Sequence, residues 1–146
     1  MFDAVPDIDP SGWRLRVVTP GGIREWTYAE LERFDDRRRA VLDCTGGFWS
    51  EQDWSGVLLS RLVPNASGAI SVRVESHTGY DRRFAFGELP DLLLALRLGD
   101  RQLSPDHGAP ARLVAPDRRG FWWVKWVRAV ELEWLPAWWQ SPFPLQ

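Results

Sequence analysis

The sequence predicts a mixed α+β domain in which strands dominate and helices are short. Three observations carry that expectation. Apolar and polar residues alternate in separated stretches, at Trp13 to Val18, at Ile70, Val72 and Val74, and from Val130 to Trp134. Glycine and proline punctuate those stretches, as in Thr19-Pro20-Gly21-Gly22. The apolar runs, such as Leu92 to Leu96, are far too short to span a bilayer.

The elements follow in order. Residues 1–12, with Pro6, Pro10 and Gly12, read as a tail or linker, and residues 13–146 as a single domain. Trp13 to Val18 reads as a strand, turned by Thr19 to Gly22 into a second strand at Ile23 to Trp26. Thr27 with Glu30 three positions later forms a capping-box pattern, so a helix opens there. Ala40 to Asp43 reads as a short buried strand ending at Cys44, and Ser55 to Val63 as a short helix. A strand is expected around Val72, and a helix from Leu89 to Leu98 closed by Gly99. Alternation returns between Ala111 and Trp134, with Val130, Leu132 and Trp134 on one side and Glu131 and Glu133 on the other.

Composition narrows the functional classes. Of 146 residues, 45% are hydrophobic and 26% charged, which suits one soluble globular domain. A net charge of −2 gives no general attraction to nucleic acid or to an acidic membrane. The first ten residues are acidic and lack the basic and apolar regions of a signal peptide, so a soluble, cytoplasmic chain is expected. Phosphate cradles of the G-x-x-x-x-G-K-[ST] and G-x-G-x-x-G types are absent from the sequence. A single cysteine and two histidines thirty positions apart do not compose a structural zinc site.

Two segments carry chemistry-bearing residues. Cys44 stands before Thr45-Gly46-Gly47, where missing side chains let backbone and ligand approach a thiol. Read from the residues alone it is either an inert apolar side chain or an accessible thiolate, nucleophile or metal ligand. The second segment, Asp106 to Trp126, holds His107, Arg112 and Lys125 within twenty residues. The strand carrying Arg112 should be buried, and a buried guanidinium needs either an anionic ligand such as phosphate or an internal carboxylate. His107 alone is as readily a structural histidine, and Arg118 and Arg119 read as a solvated turn. Trp122, Trp138 and Trp139 are either core residues or anchors for a partner.

The two segments together, "LDCTGG" with the following "WSGV" and then "HGAPARLVAPDRRGFWWVKW", resemble the molybdopterin-binding oxidoreductase domain of the sulfite oxidase superfamily. They are also similar to molybdenum-type methionine sulfoxide reductases, and the likeness spans roughly Trp13 to Gln146. It implies a strand-rich sulfite oxidase-like fold binding a molybdenum-molybdopterin cofactor (Moco). Cys44 would ligate molybdenum through its thiolate, a soft ligand suited to that centre. Ser76, His107, Arg112, Trp123, Val124 and Lys125 would contact the cofactor, with Val124 contributing backbone only. The implied activity is two-electron oxo transfer on a small-molecule substrate. The closing "WWQSPFPLQ" resembles domains linked to b-type membrane cytochromes, which implies a redox partner of that kind. Phe48 and Trp49 stand where sulfite oxidases carry arginines after the cysteine, and Phe143 replaces a tyrosine of their tail. Aromatic walls of that kind favour a neutral or organic oxo donor or acceptor over sulfite. The alternatives are a cofactor-less binding or scaffold module of the same fold, and a thiol hydrolase pairing Cys44 with His77 or His107.

Overall fold

The computed structural model describes residues 5–43, 49–64 and 68–141. Two strands open it, β1 at Arg14–Thr19 and β2 at Gly22–Thr27, followed by one helical turn, α1, at Tyr28–Leu31. The capping box is present: the Glu30 N–H donates to the Thr27 hydroxyl at 3.1 Å, and the Thr27 N–H to the Glu30 carboxylate at 3.0 Å. Strands β3 (Asp36–Asp43) and β4 (Trp49–Leu58) lead into the short helix α2 (Leu59–Leu62). Then come β5 (Ser71–Ser76), β6 (Asp81–Ala85), β7 (Leu93–Leu98), β8 (Arg101–Gln102), β9 (Arg112–Val114) and β10 (Val127–Glu133).

The strands form two five-stranded sheets. One has the order β2-β1-β10-β5-β6, with β1 and β10 parallel, and the other runs β3-β4-β7-β8 with β9 also paired to β7. A single apolar cluster draws from both sheets, joining Leu15, Val17, Val72, Val74 and Val130 to Val57, Leu93, Leu94 and Leu113. Fully burying one such side chain stabilises the fold by about 2 kcal/mol, so this shared core holds the sheets together. Among the described residues no helix is long and apolar enough to cross a membrane.

Three expected elements differ from those observed. In place of a helix from Leu89 to Leu98 there is a 3₁₀ segment, Phe86–Asp91, followed by strand β7. Strand β7 pairs with β4 on one side and with β8 and β9 on the other, and Leu93 to Leu96 are fully buried. A strand buried on both faces shows no alternation, so its apolar run is indistinguishable from a buried helix in sequence. The helix expected from Ser55 shrinks to Leu59–Leu62, because β4 continues through Leu58. Gly56 permits that continuation: a Cβ there would overlap the carbonyl oxygen of Leu94 on β7. The strand expected over Ala40 to Asp43 starts earlier, at Asp36, and is a sheet edge rather than buried. Ala40 faces the core, whereas Val41 is exposed and Arg37 to Arg39 charge the edge, a usual protection against intermolecular pairing.

Candidate functional site

Topology brings the second segment to the end of the sheet where the β3–β4 hairpin points. The last described pair of that hairpin is Asp43 with Trp49. Strand β4 meets β7 at Trp54 with Leu98 and Gly56 with Ala95, and Ala95 in turn pairs with Arg112 at the start of β9. Arg112 therefore enters its strand at the hairpin-tip end of the sheet. Cys44, Phe48 and Phe143 lie outside the described residues.

Arg112 is 2% exposed, a cation almost wholly withdrawn from water. Its guanidinium donates to the carbonyls of His107 at 3.0 Å and Trp123 at 3.4 Å, and lies 5.2 Å from the ring centre of Trp54. The strand is buried as expected, since Leu113 and Val114 are fully covered. Lys125 donates from Nζ to the carbonyl of Asp106 at 2.8 Å. Both side chains press on Gly108: a Cβ there would sit 2.8 Å from Arg112 Cβ and 3.3 Å from Lys125 Cγ. Gly108 also adopts φ +110, a backbone geometry that side chains resist. Glycine thus lets the arginine and lysine stems converge.

His107 ends a 3₁₀ turn, Pro105–His107, with its ring Nδ1 bonded to the Ser104 hydroxyl and about half its side chain exposed. The same hydroxyl donates to Asp106, and that bond, aided by the charges of His107 and Lys125, holds the Asp106 carboxyl below its ordinary value. Trp123 and Val124 run beside β9, both buried; the Val124 carbonyl accepts from the Leu113 N–H at 2.7 Å. Trp123 meets Trp54 edge to face at 5.7 Å. Five predicted residues are thereby assembled: His107, Arg112, Trp123, Val124 and Lys125.

Ser76 joins them through an intermediary. It ends β5 opposite Val127, and its hydroxyl accepts from the Thr78 N–H and hydroxyl inside the β5–β6 turn. Trp126 links that turn to the site. Its carbonyl accepts from the His77 N–H at 2.6 Å, its own N–H reaches the Gly108 carbonyl at 3.3 Å, and its indole donates to Pro105 at 2.7 Å. Three such bonds account for its positive φ of 53. Sequence reading passed over Trp126, since nothing in a tryptophan-rich run marks one ring as a clamp. Arg118 corrects an expectation: it is half-buried, bonded to Glu88 at 2.6 Å and stacked 4.3 Å from Trp122, while Arg119 is exposed. The approach of Phe84 and Trp122, whose ring centres lie 5.5 Å apart, was not visible locally.

The family model for the oxidoreductase molybdopterin binding domain matches residues 2–137. The chain belongs to this family. Sulfite oxidase of Gallus gallus is 32% identical over 179 residues, covering 94% of this chain and 39% of that protein. The NADH nitrate reductase of Spinacia oleracea is 38% identical over 53 residues, which is 36% of this chain and 6% of the reductase. In structure, the sulfane dehydrogenase SoxCD of Paracoccus pantotrophus superposes with a TM-score of 0.83 at 23% identity, over 90% of this chain and 40% of that one. The strand-rich, sulfite oxidase-like fold is thus shown, and the chain spans about two fifths of each of the sulfite oxidase and SoxCD chains.

Proposed function

We propose that this molybdopterin-binding domain holds a molybdenum-molybdopterin cofactor and serves two-electron oxo transfer on a small molecule. The observation that carries the proposal is the convergence of buried Arg112 with Lys125 and His107 around Gly108. The donor set fits a phosphate-bearing pterin. Arg112 offers a planar fork and Lys125 a point charge, both pinned by main-chain carbonyls so that little freedom remains to be lost on binding. His107 adds a ring nitrogen, Ser76 a hydroxyl at the neighbouring turn, and Trp123 and Val124 a dry wall. Cys44, which follows directly on β3, would supply the thiolate to the metal.

The bound group would supply the redox chemistry, exchange of an oxygen atom with two electrons. The chain's own part is to hold the cofactor's phosphate against the buried Arg112 and the partly exposed Lys125, and to fix its orientation. Electrons would pass to a redox partner protein, for which a b-type membrane cytochrome is our reading. Trp138 and Trp139, 76% and 60% exposed, offer the aromatic surface such docking uses.

Elemental analysis tests the proposal. Protein made in a cofactor-competent host should contain about one molybdenum per chain, with Cys44 shielded from alkylation. Metal-free protein from that host, with Cys44 freely alkylated, would favour the cofactor-less module instead.

A further inference from the structure

Trp54 lies in β4, hydrogen-bonded between β3 and β7 through its pairing with Arg38 and Leu98. It is 2% exposed, and its indole N–H is buried with no hydrogen-bond acceptor. Buried donors are rarely left so, because a group taken from water without a partner forfeits its hydration. Packing alone does not require that group: a phenyl ring buries apolar surface without an N–H to satisfy. Among the described residues Trp26 and Arg82 also carry a buried unbonded N–H, but Trp26 stacks on Arg24 and Arg82 on Trp122. The ring partners of Trp54 are instead Arg112, at 5.2 Å, and Trp123, at 5.7 Å. An unbonded donor thus sits against two residues of the candidate cofactor site.

We propose that Trp54 is a further cofactor-contacting residue, its indole N–H donating to a polar acceptor of the bound molybdopterin group. The inference rests on the function proposed for this site. It assigns a role to the tryptophan of the "WSGV" stretch that the strand's own packing leaves open. Removing the N–H while keeping the ring volume should then weaken cofactor retention without weakening the empty fold. A purely structural tryptophan would behave in the opposite way.

The test compares wild type, Trp54→Phe, and a chain with the benzothienyl isostere of tryptophan at position 54, which keeps the shape and lacks the donor. Molybdenum and pterin per folded chain are measured after extensive dialysis, and thermal midpoints are taken on cofactor-free protein. Both variants should retain about tenfold less cofactor than wild type, the loss of one good hydrogen bond in a dry site. The isostere's cofactor-free midpoint should equal or exceed that of wild type. Wild-type retention in the isostere would overturn the inference while leaving the site's function standing, and this variant decides the matter if Trp54→Phe does not fold. Absence of molybdenum from wild type itself would overturn the proposed function and this contact with it.

Discussion

Arg73 and Arg112 are the same residue type on strands of different sheets, held by different means. Arg73, on β5, donates to Glu75 at 2.8 Å, Asp81 at 2.9 Å and Glu131 at 3.1 Å, with Glu75 also bonded to Arg128. Burial works against the Arg73 charge, yet the surrounding carboxylates outweigh it and hold its pKa above the ordinary value. Arg112, on β9, is far more buried, and the acceptors it meets at His107 and Trp123 are carbonyls, which carry no full charge. A cluster of carboxylates ties Arg73 into its own sheet, whereas the carbonyls of His107 and Trp123 orient the Arg112 guanidinium beside Trp54 and Trp123. On the function proposed above, Arg73 would serve the fold and Arg112 would also face the cofactor's phosphate.

The contrast breaks most severely at Gly108. Gly108→Ala places a Cβ 2.8 Å from Arg112 Cβ in a backbone with φ +110, so strain and clash add. Denaturant unfolding should show a loss of about 3 kcal/mol, and cofactor content should fall below detection. Gly79→Ala is the matched control, because Gly79 has φ +90 but open space for a Cβ, and it should cost only about 1 kcal/mol. Equal costs at the two glycines would mean that the convergence of Arg112 and Lys125 needs no glycine. Next in size is Arg112→Met, which keeps much of the volume and removes the charge. Cofactor content should drop at least tenfold, about 1.4 kcal/mol or more of lost binding, while the fold remains. Wild-type content in that variant would remove Arg112 from the site.

How much of this was legible depends on the range over which each residue's partners act. The Thr27–Glu30 capping box was readable because its two bonds span three residues. The burial of Arg112 followed from its apolar flanks, and its association with His107, Trp123 and Lys125 from a motif contained in twenty residues. Strand β7 was misread as helix because burial of both its faces removes alternation, and its partners on β4 and β9 lie up to 44 positions away. Arg118 was misplaced for the same reason: Glu88, its partner, is thirty residues away. Trp54 showed in the sequence only as part of a likeness, since an unbonded N–H is a property of the packed interior.

The smallest expected effect concerns Arg73, and its sign can be worked out. Burial raises the Glu75 pKa, but bonds from Arg73 and Arg128 outweigh it and leave the group below its ordinary value of 4.5. A carboxyl depressed in the fold stabilises it above the unfolded value, and that contribution is lost as pH falls through the folded one. Arg73→Met removes the strongest of those bonds. At pH 7 it should be less stable than wild type by about 1 kcal/mol, an ordinary magnitude for a partly exposed ion pair. The gap should narrow below pH 4.5 as the carboxylates protonate and wild type loses the same interaction. Urea unfolding of both chains at pH 7 and near pH 3 checks this, with cofactor content as the second reading. Content should not change, because Arg73 is already completed by carboxylates. A gap that persists at low pH would assign Arg73 a packing role, and a fall in cofactor content would erase the distinction between the two arginines.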